Sequence, residues 1–120
     1  MTTTVLIVDD HETFRSFARS LLESEGFEVI GEAGDGESGI AAVESLRPDL
    51  VVLDVQLPDL SGFEVARRLT EGGVAIPIVL TSSRDAASYG DQIASSGSLG
   101  FVPKAELSGD AIRALMKRVE

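Results

Sequence analysis

Two adjacent carboxylates at Asp9 and Asp10, a third at Asp54, a hydroxyl run at Thr81, Ser82 and Ser83, and an amine at Lys104 are the side chains of this sequence best suited to chemistry. Taken singly, each has a bland reading. An acid after a strand is usually a helix cap or a solvated loop residue, and Asp10 is placed to cap a helix that follows it. Strand-end hydroxyls commonly satisfy backbone groups, and a lone lysine is usually a surface cation. Together they mean more. Like charges held about 4 Å apart repel by about 1 kcal/mol in water and about 4 kcal/mol at an effective dielectric of 20, so three gathered acids need a cation. Lys104 offsets part of this, and a hard divalent ion with oxygen ligands, Mg²⁺ above all, suits the remainder. Zinc is a poor match, because the chain has one histidine, His11, and no cysteine. With such an ion beside it, Asp54 can attack a phosphoryl group while the ion, Lys104 and a hydroxyl neutralise the equatorial oxygens, giving an aspartyl phosphate.

Whether these groups meet depends on the elements that carry them. Apolar, β-rich runs recur at Val5 to Val8, Phe27 to Ile30, Leu50 to Leu53, Ile76 to Leu80 and Leu99 to Val102. The third and fourth are nearly continuous, which suits parallel strands covered on both faces. Between them lie helix-period stripes: Phe14, Phe17, Ala18, Leu21 and Leu22; Ile40, Val43 and Leu46; Phe63, Ala66 and Leu69; and Ile112, Leu115, Met116 and Val119. The third of these helices begins with the capping-box pattern Ser61 to Glu64. The stretch from Asp85 to Ser96 is the weakest helix, since Gly90 costs roughly 1 kcal/mol relative to Ala and Ile93 is its only large aliphatic anchor. It is either an indifferent surface helix or an element held loosely enough to move. Alternating strands and helices of this length predict an α/β fold with a doubly wound parallel sheet and right-handed crossovers. A complete barrel of eight such units would need about twice the chain. In open sheets of this kind ligands bind beyond the carboxyl ends of the strands, where Asp9, Asp10, Asp54, Ser82 and Lys104 would converge.

Composition narrows the class. At 120 residues, 43% hydrophobic and 25% charged, with no repeat or low-complexity tract, the chain is expected to fold as one domain over residues 1–120. A formal net charge of −10 disfavours attraction of this domain to nucleic acid or anionic lipid. The absence of cysteine rules out disulfides and thiolate metal sites. The start lacks the basic residues and longer apolar stretch of a signal peptide, and no segment is long enough to span a bilayer, so a cytoplasmic location is expected.

The segments VLIVDDHETFR, RPDLVVLDVQLPDLSGFEV, IPIVLTSS and GFVPKAEL, each at the expected end of its strand, resemble the receiver domain of two-component response regulators over essentially the whole chain. VDDH, VIGEAGDG and PKAEL further resemble the NarL-like subgroup, whose members usually carry a DNA-binding helix-turn-helix domain after the receiver. The resemblance implies a flavodoxin-like five-stranded sheet of order 2-1-3-4-5 with five helices. It implies that Asp54 is the phosphoacceptor, Asp10 a direct Mg²⁺ ligand, Asp9 a ligand acting largely through water, and Gln56 a ligand through its backbone carbonyl. Lys104 would contact the phosphoryl oxygens, Ser82 would move toward the phosphate, and Phe101 would be the aromatic switch behind it. The face of the fourth helix, fifth strand and fifth helix would then change. Implied partners are a sensor histidine kinase or phosphotransfer protein upstream, and a homodimer or downstream effector as recipient. Slow self-hydrolysis is implied too, with Gln56 and Arg84 flanking the path of the attacking water.

Some positions depart from the family pattern. Phe101 lacks the hydroxyl of the tyrosine often found there, so it can couple only by packing, and a plain core aromatic is the competing reading. Ala105 stands where many receivers have proline, and Ser98 replaces the commoner alanine. Pro58 and Gly62 shape the loop after Asp54. Other functions compete less well. The intact acids, Lys104 and Ser82 together argue against a receiver-like adaptor that holds Mg²⁺ or a protein partner but is regulated without phosphate. A haloacid-dehalogenase-type phosphohydrolase needs a second acid two positions after a first-strand nucleophile, whereas Asp9 is followed by Asp10 and His11. Flavin binding is disfavoured because the acidic loop from Asp9 to Glu12 would repel a phosphate.

Overall fold

A computed structural model describes residues 2–117, in which strand and helix alternate: β1 Thr4–Val8, α1 Glu12–Ser24, β2 Glu28–Ala33, α2 Gly36–Leu46, β3 Leu50–Asp54, α3 Gly62–Glu71, β4 Ile78–Ser82, α4 Gln92–Ser95, β5 Gly100–Pro103 and α5 Gly109–Lys117. The strands pair in parallel in the order β2-β1-β3-β4-β5. This is the flavodoxin-like, doubly wound sheet with five helices. The chain runs outward from β1 to β2 and returns to β3 on the other side, so the strand order reverses between β1 and β3. A crevice forms there.

The apolar runs divide between two cores because successive strand residues face opposite sides of the sheet. Val5, Ile7, Val52, Val79 and Val102 pack with Ala18 and Leu22 of α1 and Ile112 of α5. Leu6, Val8, Val51, Leu53 and Leu80 pack with Val43 of α2 and Val65, Ala66 and Leu69 of α3. Every residue of β3 and β4 is buried, as their continuous apolar character requires.

Several element ends differ from the sequence expectation. The second strand continues past Ile30 to Ala33, because an edge strand tolerates Glu32 on its solvent side. The fourth starts at Ile78 rather than Ile76; Pro77 has no N–H to give a ladder, and only its carbonyl is used, accepting from Val51 N at 2.9 Å. Phe17 and Leu46, expected on buried stripes, are 56% and 44% exposed. Both lie at the margins of their helical stripes, where Ala18, Leu22 and Val43 take the core positions instead. Val119 lies outside the described residues. The capping box forms by half: Ser61 Oγ accepts from Glu64 N at 3.1 Å, while Glu64 turns forward to Arg67 and Arg68. Asp85 to Ser96 is no single helix but a 3₁₀ turn at Ala86–Ser88 followed by the one turn of α4, with Gly90 between them at φ 57°. No helix among the described residues is long and apolar enough to cross a membrane.

Candidate functional site

Strand alternation explains why the charged groups meet. Asp9 and Asp54 each stand two residues beyond a buried member of the α1/α5 core, Ile7 and Val52, and Lys104 stands two beyond Val102. All three therefore emerge on one side of the sheet at its carboxyl end, across the β1–β3 crevice. Lys104 Nζ lies 2.6 Å from Asp9 Oδ2 and 3.5 Å from Asp54 Oδ2, and sits 4.5 Å above the Phe14 ring. Asp9 is fully buried and Asp54 is 3% exposed, whereas Asp10 is exposed.

Oxygens of Asp9, Asp10 and Asp54 and a ring nitrogen of His11 all lie within 4.8 Å of one another. The expected acid cluster is thus assembled, and His11 belongs to it. Its Nδ1 is 3.2 Å from Asp9 Oδ1 and 3.1 Å from Asp10 Oδ1, and its backbone N donates to Asp9 Oδ1 at 2.8 Å. Asp10 does not cap α1. His11 occupies the N-cap position, and no side chain caps the helix there. Arg15, held by Glu32 at 3.0 Å, donates to the Asp9 carbonyl at 2.7 Å and fixes the strand end.

Burial, reinforced by the charge of Asp9, pushes the Asp54 carboxyl up to about 6 against the opposing pull of Lys104 and of the Gln56 N–H, which donates to Asp54 Oδ1 at 3.2 Å. The site is short of positive charge. Asp9 Oδ2 is paired with the Lys104 ammonium at 2.6 Å, so one cation serves both Asp9 and Asp54. A donor set of carboxylate oxygens from Asp9, Asp10 and Asp54 that share one lysine suits a hard divalent cation.

Ser82 belongs to the other face. It is two residues beyond Leu80 of the α2/α3 core, fully buried, and its Oγ lies 2.6 Å from the Tyr89 hydroxyl while accepting from Arg84 N at 3.1 Å. Phe101 is partly buried on that face, its ring 5.8 Å from Tyr89. Thr81, paired with Asp54 in register, is buried with its hydroxyl unpartnered, so it does not serve the backbone. Gln56 and Arg84 are exposed beside the site. Sequence reasoning missed Tyr89 altogether. The signal was there in principle, since it is the chain's only tyrosine and stands seven residues after Ser82.

The loop after Asp54 is tied from two sides. Asp59 accepts from Gly36 N at 2.7 Å, Glu37 N at 2.9 Å and Leu60 N at 2.8 Å, capping α2 from outside, and those N–H groups hold its carboxyl below the usual carboxylate range. Gly62 closes the loop by donating to the Val55 carbonyl at 2.7 Å. A Cβ there would collide with the Asp54 carbonyl oxygen and lie 2.9 Å from Val55 Cα. Backbone cannot yield as a flexible side chain would. Gly62→Ala is therefore expected to cost about 2–3 kcal/mol of stability, read as a lowered urea midpoint. An unchanged midpoint would show that the loop tolerates displacement.

Comparison with known proteins agrees with this geometry. The family profile for the response regulator receiver domain matches residues 5–117. The chain is 39% identical over 110 residues, 92% of its length and 53% of the relative's, to the virulence factors putative positive transcription regulator BvgA of Bordetella pertussis. It is 33% identical over 110 residues, 92% of its length and 54% of the relative's, to the DNA-binding transcriptional activator EvgA of Escherichia coli. The chain spans about half the length of these curated relatives. Among solved structures, the receiver domain of the putative response regulator NarL from Mycobacterium tuberculosis superposes with a TM-score of 0.85 at 27% identity, covering 98% of this chain and 95% of that one. With its sheet order, its clustered strand-end acids and these matches in agreement, the chain belongs to the response regulator receiver domains, in their NarL-like branch.

Proposed function

We propose that this domain is a phosphorylation-dependent switch: Asp54 accepts a phosphoryl group from a sensor histidine kinase or phosphotransfer protein, and the change is read out on the α4/β5/α5 face. The observation that carries this is the buried Asp54 carboxylate, paired to Lys104 at 3.5 Å within a cluster of acids lacking sufficient positive charge. Asp10, Asp54 and the Gln56 carbonyl, with Asp9 acting largely through water, would hold Mg²⁺, which when bound supplies charge neutralisation for the phosphoryl oxygens. This chain's residues do the rest. Asp54 Oδ attacks phosphorus as the P–N bond to the donor histidine breaks and the ring nitrogen departs with the electron pair (an oxygen departs when the donor is acetyl phosphate), Lys104 offsets charge on the oxygens, and the Gln56 N–H holds the carboxylate in place. Ser82 then moves from the opposite face to meet the bound group. Positioning and electrostatics suffice for such a transfer. Gln56 and Arg84 border the route of the water that later hydrolyses the adduct.

The names of BvgA and EvgA point to whole proteins that regulate transcription, so the domain is read as the receiver half of such a cytoplasmic regulator, acting through a homodimer or a downstream effector. The acidic domain itself does not bind DNA in this reading. Incubation with acetyl phosphate and Mg²⁺ should give one phosphoryl adduct by intact mass, mapped to Asp54 by peptide analysis. Failure to find it with acetyl phosphate and with histidine-kinase donors would return the domain to the adaptor class.

A further inference from the structure

We propose that Tyr89 is a positioning residue that sequesters the Ser82 hydroxyl while Asp54 is unmodified, supplying from the β4–α4 segment the hydroxyl that Phe101 lacks. This rests on the phosphorylation reading above. Among the described residues the hydrogen-bond partners of Ser82 Oγ are the Tyr89 hydroxyl at 2.6 Å and Arg84 N at 3.1 Å, and Asp54 is not one of them. A serine hydroxyl has a single proton and two acceptor sites, and the tight contact with tyrosine fixes where that oxygen sits. Reaching a phosphoryl group on Asp54, whose Cα pairs with the preceding Thr81, requires Ser82 Oγ to leave Tyr89.

The consequences fall on a segment built to respond. Tyr89 lies between the Ala86–Ser88 turn and the short α4, next to Gly90 at φ 57°. Its ring packs edge-on to Phe63 at 5.6 Å and against Phe101 at 5.8 Å, so it joins α3, β5 and the active-site hydroxyl in one aromatic cluster. With Ile93 as the only other large apolar side chain, the Ser82 contact is a principal polar tie between this segment and the sheet. Losing it frees the segment while keeping the rings as a pivot. Phosphorylation and the conformation of residues 86–96 then compete for one hydroxyl, which makes the coupling reciprocal.

The chain has one tyrosine and no tryptophan, so its intrinsic emission reports this hydroxyl alone. Wild type, Tyr89→Phe, Ser82→Ala and the double variant would be titrated with beryllofluoride in Mg²⁺, with fluorine NMR scoring occupancy independently. Tyr89→Phe retains the ring packing and should bind the phosphoryl mimic about five-fold more tightly, the worth of one net hydrogen bond. That gain should vanish in the Ser82→Ala background, which a general packing effect of residue 89 would not explain. Loading wild type should shift tyrosine emission in the direction that Ser82→Ala produces without any ligand. A fluorine signal with unchanged emission, or equal affinities for Tyr89→Phe and wild type, would overturn the inference alone. Absence of the fluorine signal from wild type would overturn both it and the phosphorylation reading.

Discussion

Asp54→Asn should abolish phosphoryl incorporation from acetyl phosphate and, in EDTA, should make the protein more stable than wild type above about pH 6. The first effect follows from loss of the nucleophile in a cluster that offers no other acid so placed: Asp9 is engaged by Lys104 and His11, and Asp10 is exposed. The second follows from burial. Because the Asp54 carboxyl titrates near 6 when folded, against 3.8 ordinarily, the folded protein holds a proton that the unfolded chain has released between those values. The stabilisation from that proton is complete below about pH 3.8 and is lost as pH rises through about 6. The loss amounts to about 3 kcal/mol, from about 1.4 kcal/mol for each unit of pKa. Asparagine keeps the shape without the charge and escapes it. Urea melts of both proteins from pH 4 to pH 8 should therefore diverge with rising pH and run parallel above pH 7. Parallel curves throughout would mean that the ionised carboxylate is solvated well enough to carry no burial cost.

The sequence made some of this legible and hid the rest for identifiable reasons. Unbroken apolar runs at Leu50 to Leu53 and Ile76 to Leu80 marked central strands, and acids placed just after such runs must emerge at one edge of a parallel sheet. The site acids and Lys104 could be found that way because their chemistry and their position both depend on strand ends. Phe17 and Leu46 misled because stripe membership at a helix margin is decided by the neighbouring surface, which periodicity does not see. Asp59 was hidden because it caps α2 across 23 residues of sequence. Tyr89 was overlooked for a related reason: its segment is polar, Gly-interrupted and helical for only one turn, so the local pattern gave no sign that its aromatic ring points inward to Ser82.

Lys104→Met tests whether the cluster is held together by charge, since methionine retains an unbranched apolar stem beside Phe14 while removing the cation. Lys104 is 15% exposed and faces two carboxylates that are nearly inaccessible to water. Removing one partner of a buried ion pair ordinarily costs about 3–5 kcal/mol because the remaining charge stays buried. Here Asp54 has an escape: with the pull of Lys104 gone, its carboxyl rises further and takes up a proton more readily, which limits the cost to about 3 kcal/mol. That corresponds to a thermal midpoint roughly 10 °C lower in EDTA. Mg²⁺ should then restore more stability to the variant than it adds to wild type, because it becomes the one cation facing Asp9 and Asp54. Phosphorylation by acetyl phosphate should slow about 100-fold, the usual effect of deleting one fixed group aimed at developing charge. An unaltered midpoint in EDTA together with an unaltered phosphorylation rate would reduce Lys104 to an ordinary lysine at the sheet edge. A lower midpoint with no extra response to Mg²⁺ would separate its structural part from any role in offsetting the charge of the acids.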